Sequence, residues 1–222
     1  MEYSEDKSGS IAIDAEYQRH RYLYRTTKRI FDFTASLIGL ILLSPVFAIV
    51  AIAIKIENPR GPVFYSQVRL GRHQRPFRMY KFRSMVVNAD TLLKSLLSKN
   101  EIDGAMFKIK KDPRITRVGA FIRKYSLDEL PQLVNVLIGQ MSLVGPRPPL
   151  PREVREYTEY DKQRLVTKPG CTGLWQISGR NDVGFDEMVN LDLEYINKRG
   201  IMFDLYIILK TVGVFFAPNG SY

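Results

Sequence analysis

The chain has 222 residues and carries 33 Lys or Arg against 23 Asp or Glu, a net charge of +10 at pH 7. With 45% hydrophobic residues it can form one domain with a buried core. Its single cysteine, Cys171, excludes an internal disulfide, and its two histidines, His20 and His73, exclude a Cys/His zinc cluster, so we expect a reducing, cytosolic environment. The positive balance admits nucleic acid, an anionic membrane face or a phosphate-bearing substrate as partner.

An uncharged apolar segment follows a polar N-terminal segment, residues 1–27, whose residues 1–18 we expect to lack regular structure. The apolar segment, residues 33–54, has 22 positions, and about 20 are enough to cross a bilayer as a helix. Pro45 lies near its midpoint and lacks an N–H, so the helix should break there. The hydroxyl of Ser44 can satisfy a carbonyl that the break leaves without a partner.

Basic residues flank the apolar segment on both sides, namely Arg25, Lys28, Arg29, Lys55 and Arg60. Under the positive-inside rule, both ends then face the cytoplasm. We therefore predict a re-entrant membrane helix over residues 28–57, broken at Ser44 and Pro45, that enters and leaves by the same face. A kinked full span and a buried helix of a soluble protein are the alternatives.

The remaining residues, 58–222, are predicted to form one cytosolic-face domain, and the whole chain to be a mainly helical α+β protein. Residues 63–69 and 76–85 indicate the strands of a small β-hairpin. Periodicity and stop signals indicate helices over residues 90–99, 117–125, 132–138, 153–166 and 185–198. The glycine-rich segment 168–181 is expected to lack regular structure and to hold a ligand. The apolar segment 201–217 indicates either a core helix or an amphipathic helix in the membrane interface.

Two adjacent acids, Asp128 and Glu129, lie at the end of the basic part of the chain. Residues 55–130 contain 17 Lys or Arg against 7 Asp or Glu, so the surplus of +10 lies beside this pair. An Asp carboxylate is ionised at pH 7 and can attack phosphorus without a general base. Its approach to a diphosphate costs roughly 4 kcal/mol per unit-charge pair at 4 Å, which arginines and a divalent cation relieve. Nearby arginines are Arg114, Arg117, Arg123 and Arg147, and Glu129 is the expected Mg²⁺ holder.

The residue pattern alone leaves a second interpretation open for each of these groups. Ser126 and Glu129 fit a helix-capping box, and the arginines fit a solvated basic face. The segment around Lys81 fits an ordinary half-buried strand. A membrane-anchored basic module for nucleic acid or anionic lipid is the alternative function, because basic and aromatic residues interleave in residues 69–82.

Several motifs decide between these interpretations by their order along residues 28–211. They are Lys28-Arg29 with Asp32; Ser44-Pro45; Tyr80-Lys81-Phe82-Arg83-Ser84-Met85; Asp112-Pro113-Arg114-Ile115-Thr116; Arg123 with Ser126-Leu127-Asp128-Glu129-Leu130-Pro131-Gln132; Ser142-Leu143-Val144-Gly145-Pro146-Arg147-Pro148; and Lys168-Pro169-Gly170, Gly179-Arg180-Asn181 and Asp192. With these motifs the chain resembles the bacterial sugar transferases that act as polyprenyl-phosphate glycosyl-1-phosphate transferases.

The resemblance implies a monotopic enzyme at the bacterial inner (cytoplasmic) membrane, with its catalytic domain facing the cytoplasm. Such enzymes move a sugar-1-phosphate from a UDP-sugar to undecaprenyl phosphate and release UMP by a ping-pong route. This reaction begins the assembly of exopolysaccharide, capsule, O-antigen or glycoprotein glycans. The implied cofactor is Mg²⁺, the implied partners include no nucleic acid, and a homodimer is compatible with the pattern. Because only about 27 residues precede the core, the chain is expected to be a minimal catalytic form.

The same resemblance assigns roles to individual residues. Asp128 looks like the nucleophile that forms a phosphosugar-enzyme intermediate, and Glu129 like its Mg²⁺-associated partner. Arg123 and Arg147 are similar to phosphate-binding arginines of the family. The other matching positions, expected to contribute to substrate binding, are Lys81, Arg114, Arg180, Asn181 and Asp192.

Overall fold

The computed structural model describes residues 11–89, 91–92, 109, 112–179 and 183–216. These residues form a mainly helical α+β fold, as predicted. The helices are α1 (Ala15–His20), α2 (Tyr22–Leu42), α3 (Ser44–Glu57), α4 (Arg117–Lys124), α5 (Gln132–Leu137), α6 (Pro151–Val154), α7 (Glu159–Lys162), α8 (Leu174–Ser178), α9 (Phe185–Lys198) and α10 (Ile201–Phe216). The strands are β1 (Phe64–Leu70), β2 (Pro76–Phe82), β3 (Ser142–Val144) and β4 (Gly170–Thr172). The helix predicted over residues 90–99 lies almost wholly outside the described residues, as do Arg180 and Asn181.

The N-terminal segment is more regular than predicted. Helix α1 begins after Asp14, whose Oδ1 accepts a hydrogen bond from the N–H of Tyr17 at 2.8 Å. An aspartate at this position satisfies an N–H that the first helical turn leaves without a partner. The expectation of no regular structure was therefore wrong for residues 15–18, and α2 begins at Tyr22, before the predicted start at residue 28.

Helices α2 and α3 form one bent pair whose axes differ by 58°. Pro45 cannot donate to the carbonyl of Ile41, and the hydroxyl of Ser44 donates to that oxygen instead, at 2.8 Å. The break predicted at Ser44 and Pro45 is confirmed. Among the described residues, no single helix is long and apolar enough to cross a bilayer, whereas this bent pair together meets both criteria.

One face of α2 is polar and buried against the rest of the fold. Lys28, Asp32 and Ser36, each four positions apart, lie on this face, and Lys28 Nζ is 2.9 Å from Asp32 Oδ1. Arg29 donates to the carbonyls of Val136 and Leu137 at 2.7 Å each, at the end of α5. Elsewhere the bent pair exposes large apolar side chains, among them Ile30, Phe33, Ile38, Ile41, Leu42, Ile49, Ile52 and Ile56. The buried polar face thus joins α2 to the rest of the fold, and the pair presents an apolar surface outward.

The predicted hairpin is confirmed, with β1 and β2 antiparallel from Phe64 opposite Phe82 to Leu70 opposite Pro76. Between them His73 and Gln74 adopt left-handed backbone angles, with φ of 55° and 59°. Phe77 and Phe82 are core residues, 8% and 1% exposed. These two rings cannot stack on bases, which removes part of the support for a nucleic-acid module.

The glycine-rich segment 168–181 is not irregular as predicted. Its residues form β4, which pairs in parallel with β3, and then α8. A Cβ on Gly170 would lie 2.1 Å from the backbone nitrogen of Gly145. Glycine is present there because two backbones approach closely, and not because the segment lacks structure.

The single helix predicted over residues 153–166 was also wrong. The chain forms α6, then α7, then a 3₁₀ turn over Gln163–Val166. Thr158 starts α7 with an extended backbone, and its side chain and that of Asp161 form a capping box. The charge pattern was continuous, but this internal N-cap begins a new helix.

The main core lies where α9 and α10 pack beneath β3. Its fully buried side chains include Val144, Met188, Val189, Leu193, Ile196 and Ile207. Helix α10 confirms the core-helix interpretation of residues 201–217 on one of its faces, and the membrane-interface interpretation stays a prediction. Its Ile207 lies in this core, whereas Met202, Tyr206, Leu209 and Val212 are exposed.

Candidate active site

Asp128 and Glu129 lie in a tight turn that follows α4. Ser126 adopts a left-handed backbone, with φ of 52°, and Leu127–Glu129 then form one 3₁₀ turn. The Ser126 side chain makes no capping hydrogen bond, so the predicted capping box is not formed. A left-handed non-glycine residue is uncommon, and it directs the chain so that both acids lie beside β2.

Glu129 is held by a lysine from the distant strand β2. Lys81 Nζ lies 2.6 Å from Glu129 Oε1, with the two side chains 25% and 44% exposed. Partial desolvation raises the pKa of Glu129, but Lys81, helped by Arg69 and Arg147, outweighs it, so the pKa is lowered from its usual range. Glu129 is therefore an anion that water and a ligand can both reach.

Asp128 is more deeply buried than Glu129, at 8% exposed. Burial raises the pKa of Asp128 to about 6, the neighbouring Glu129 adds to this, and Lys81 and Arg123 oppose it. Two adjacent carboxylates thus have pKa values shifted in opposite directions. Such separation is typical of acids with different chemical roles.

Arg147 and Arg69 extend the positive charge around Glu129. Arg147 lies in the loop after β3, and its Nη1 is 3.2 Å from Oε2 of Glu153, which is 2% exposed. Arg69 Nη1 donates to the carbonyl of Pro148 at 2.9 Å, and burial together with Arg147 lowers the pKa of Arg69 to about 10. The Arg147 loop is therefore held beside the hairpin.

Asp192 supports the Arg147 loop from below. Asp192 and Arg164 form an ion pair, and both side chains are fully buried. Arg164 also donates to the carbonyl of Arg147 at 3.3 Å. Burial raises the pKa of Asp192 against the opposing effect of Arg164. The structure thus places Asp192 beneath the loop as a support for Arg147.

Arg114 and Arg123 occupy different settings. Arg114 is bound by Asp112, with Nη2 2.6 Å from Oδ2, and both side chains are 7% exposed. Arg123 is half-buried at the end of α4 and lowers the pKa of Asp128. The structure brings together Asp128, Glu129, Lys81, Arg123 and Arg147. It pairs Arg114 with Asp112.

Three supporting residues, Arg69, Glu153 and Arg164, were not predicted as part of the site. Arg69 was considered only for a nucleic-acid surface, and Glu153 and Arg164 were assigned to a charged helix. A charged residue next to leucine or valine, as in Val68-Arg69-Leu70 and Arg164-Leu165-Val166, is the only sequence signal of their burial. That signal is weak because it does not show which residues pair with these buried charges, and the partners are distant along the chain.

Within the described ranges, no group of three or more His, Cys, Asp or Glu side chains forms a metal cage. Mg²⁺ needs no such cage in phosphoryl transfer, since it usually binds one or two carboxylates together with substrate phosphates and water. Glu129 is 44% exposed and anionic, and Asp128 is adjacent. These residues fit a metal ion that is shared with a substrate diphosphate.

Comparison with known proteins now adds to this geometry. A family model described as bacterial sugar transferase matches residues 23–218. The chain belongs to the bacterial sugar transferase family. The match includes the acid pair, the bent helix pair and the Arg147 loop.

Individual members of the bacterial sugar transferase family are similar over most of this chain. It is 50% identical over 216 residues to the galactosyl transferase CpsE of Streptococcus agalactiae, covering 96% of this chain and 47% of that protein. It is 47% identical over 202 residues to the undecaprenyl-phosphate galactose phosphotransferase of Salmonella typhimurium, covering 89% and 42%. It is 41% identical over 199 residues to the exopolysaccharide production protein ExoY of Rhizobium meliloti, covering 88% of each. The chain thus spans less than half of the first two relatives and most of the third.

Proposed function

We propose that the chain is a polyprenyl-phosphate glycosyl-1-phosphate transferase. It moves a sugar-1-phosphate from a UDP-sugar to undecaprenyl phosphate and releases UMP. The observation that carries this proposal is the acid pair, a buried Asp128 beside an anionic Glu129 that Lys81 holds. Family membership supports it, as do relatives named for galactosyl transfer, undecaprenyl-phosphate sugar phosphotransfer and exopolysaccharide production.

The proposed reaction has two steps at Asp128. In the first, a carboxylate oxygen of Asp128 attacks the phosphorus that carries the sugar, and the bond from that phosphorus to the UMP oxygen breaks. In the second, a phosphate oxygen of undecaprenyl phosphate attacks the same phosphorus, and the bond to Asp128 breaks. Each step forms one P–O bond and breaks one, so the carboxylate is regenerated without a separate general base.

The positive side chains lower the repulsion between the carboxylate and the diphosphate. Lys81 fixes Glu129, and Arg123 and Arg147 are positioned to neutralise phosphate oxygens, with Asp192 and Arg164 keeping the Arg147 loop in place. Bidentate arginine–phosphate contacts supply both charge and orientation. Arg180 and Asn181 are proposed donor-binding residues in the segment after α8, and Arg114 a support for the loop before α4.

Glu129, with Asp128 adjacent, is the proposed Mg²⁺ holder. The metal would supply positive charge to the diphosphate when bound. Glu129 Oε1 accepts a hydrogen bond from Lys81, so its second carboxylate oxygen would be left to hold the metal. This division lets one side chain fix the turn and bind a cation.

The bent pair is proposed to be a re-entrant membrane element at the cytoplasmic face of the bacterial inner membrane. Its outward apolar side chains support burial in lipid, and basic residues at both ends support one cytoplasmic face. This arrangement holds the acid pair at the surface where a lipid phosphate is accessible. A homodimer remains a prediction.

The proposal predicts UMP release from a UDP-sugar that depends on undecaprenyl phosphate for multiple turnovers. Asp128→Asn removes the nucleophile, and we expect turnover to fall by about 1000-fold or more, as for loss of other covalent nucleophiles. The assay measures UMP from the purified full chain with a panel of UDP-sugars. Asp186→Asn is the matched control, since Asp186 is exposed in the first turn of α9. Normal turnover by Asp128→Asn would contradict the proposal.

A further inference from the structure

A second basic recess lies apart from the acid pair. It is a cavity of about 420 Å³ between the first turns of α2, the start of β3, residues 166–168 and the end of α9. Six of its sixteen lining residues are basic, namely Arg25, Lys28, Arg29, Arg72, Lys168 and Arg199. Within the described part of the chain, Asp32 is the only acidic residue that lines it. The residues that act on Asp128 and Glu129 do not line it.

Two of the basic side chains that line the cavity, Lys168 and Arg199, form no ion pair with the described residues. Lys28 is paired with Asp32 and Asp204, whereas Arg199 donates to the neutral side chains of Gln18 and Thr167. Lys168 makes no side-chain hydrogen bond or ion pair with the residues that the structure describes. Burial lowers the pKa of Lys168, and the like charges of Arg29, Arg72 and Arg25 lower it further while Asp32 opposes them. A bound anion would relieve this crowding.

Ser142 supplies an independent sign of a ligand in the same place. It lies on β3, is 5% exposed and lines the cavity. Its buried hydroxyl finds no hydrogen-bond partner among the described residues. Because leaving a buried polar group unpaired is unfavourable, an oxygen-rich anion in the cavity would satisfy both this hydroxyl and Lys168. A phosphate group has that chemistry.

The position of the cavity indicates where the phosphate comes from. Half of its lining residues belong to the part of α2 that leads directly into the apolar segment 33–54. Tyr22 and Ile30, each 62% exposed, also line it and give it an amphipathic edge. Tyrosine is typical of the membrane–water boundary, and basic pockets beside membrane helices bind lipid head groups.

We propose that this cavity binds the phosphate group of an anionic membrane phospholipid, at a site separate from the acid pair. The assignment rests on the proposed membrane placement of the bent pair. It does not depend on turnover at Asp128. A bound phospholipid would tie the start of α2 to β3 and to residues 166–168, and so fix the depth of the fold at the membrane surface.

The test titrates a short-chain phosphatidylglycerol into the purified full chain in non-ionic detergent and counts bound lipid by native mass spectrometry. Lys168→Gln should weaken binding about tenfold or more, because it removes a charge-assisted hydrogen bond. Ser142→Ala should weaken binding about threefold without lowering the thermal stability of the lipid-free protein. The matched control is Lys55→Gln, which removes an exposed charge at the far end of the bent pair and should change binding less than twofold.

Three results would overturn the proposal. If Lys168→Gln and Lys55→Gln weaken phosphatidylglycerol binding equally, the lipid is held by diffuse surface charge and not by this cavity. Displacement of phosphatidylglycerol by equal concentrations of inorganic phosphate or UMP would mean a site for soluble anions. If Lys168→Gln weakens the binding of polyprenyl phosphate but not that of phosphatidylglycerol, the cavity is a site for the acceptor lipid. Unchanged phosphatidylglycerol binding by Asp128→Asn keeps this test separate from that of the proposed reaction.

Discussion

Burial and charge act in opposite directions on Asp128. Burial raises its pKa to about 6, while Lys81 and Arg123 favour the anion. At pH 7 a carboxyl with that pKa is about ten parts ionised to one part protonated. The carboxylate is therefore mostly ready to act as a nucleophile, and it is held in a setting that disfavours its charge.

Because burial disfavours its charge, Asp128 is predicted to lower the stability of the folded protein. The pKa is 3.8 for an ordinary Asp and about 6 here, so the folded state binds more protons between these values and loses stability as pH rises through them. Asp128→Asn removes the charge, and we expect it to stabilise the fold by up to about 3 kcal/mol at pH 7. Urea unfolding of both proteins at several pH values measures the difference.

The gain should fall below pH 6 and vanish below about pH 3, where Asp128 is protonated in both the folded and the unfolded state. Asp186→Asn, at an exposed position, should change stability by less than about 0.5 kcal/mol at either pH. An Asp128→Asn protein no more stable than the original at pH 7 would contradict the raised pKa.

The sequence identified the acid pair but not its environment. Asp128 is mostly ionised at pH 7, as expected, but the sequence did not show that its pKa is raised to about 6, because desolvation depends on packing between parts of the chain that are far apart. Lys81 is 48 residues from Glu129 along the chain. Nothing in the local motif shows that a strand lysine would reach this turn, although the family resemblance included both residues.

At the scale of elements, the bend between α2 and α3 has a local cause. Pro45 removes one backbone hydrogen bond, and Ser44 satisfies the carbonyl that this leaves. The packing of Val50 and Ile54 beside Phe82 and Ile122 then holds α3 in its new direction. Local chemistry is thus the expected cause of the bend, and tertiary packing adds to it.

Pro45→Ala should straighten the bent pair by restoring the missing N–H. With a rise of 1.5 Å per residue, residues 30 and 56 are about 34 Å apart at a bend of 58° and about 39 Å apart in a straight helix. Spin labels on Ile30→Cys and Ile56→Cys, with Cys171→Ser, measure this distance by pulsed electron resonance. Val46→Ala, which adds no N–H, should keep the shorter distance, and an unchanged distance in Pro45→Ala would assign the bend to packing alone.

Elements with strong local signals were predicted well, and those that depend on partners were not. The hairpin, α4, α5 and α9 follow from turn residues and periodicity, and α9 has the predicted bounds of Phe185–Lys198. The prediction of one helix over residues 153–166 was wrong because a threonine cap interrupts a continuous charge pattern. The prediction that segment 168–181 lacks regular structure was wrong because β4 forms only through its pairing with β3.

At the scale of the whole molecule, positive charge separates into two regions. Lys81, Arg69 and Arg123 surround the acid pair and come from the basic part of the sequence, residues 55–130. The cavity near α2 draws mostly on basic residues from outside that part. Composition shows the total surplus, and only the folded structure shows that basic residues gather in two places.

The proposed membrane arrangement predicts that both ends of the bent pair face one side of the membrane. Cysteines at Tyr17 and Val87, which are 58% and 65% exposed, mark the two ends in a Cys171→Ser background. Both should react with a membrane-impermeant thiol reagent in inverted vesicles and stay unreacted in intact spheroplasts. Labelling from opposite sides would restore the kinked full span.

The central claim is that Asp128 becomes covalently attached to the sugar phosphate. The most direct measurement incubates the full chain with a UDP-sugar and Mg²⁺ in the absence of undecaprenyl phosphate, quenches it and maps the modified peptide by mass spectrometry. We expect a sugar-phosphate adduct on Asp128, with about one UMP released per chain and loss of the adduct when undecaprenyl phosphate is added. Release of UMP only when the lipid phosphate is present, with Asp128 unmodified, would contradict it.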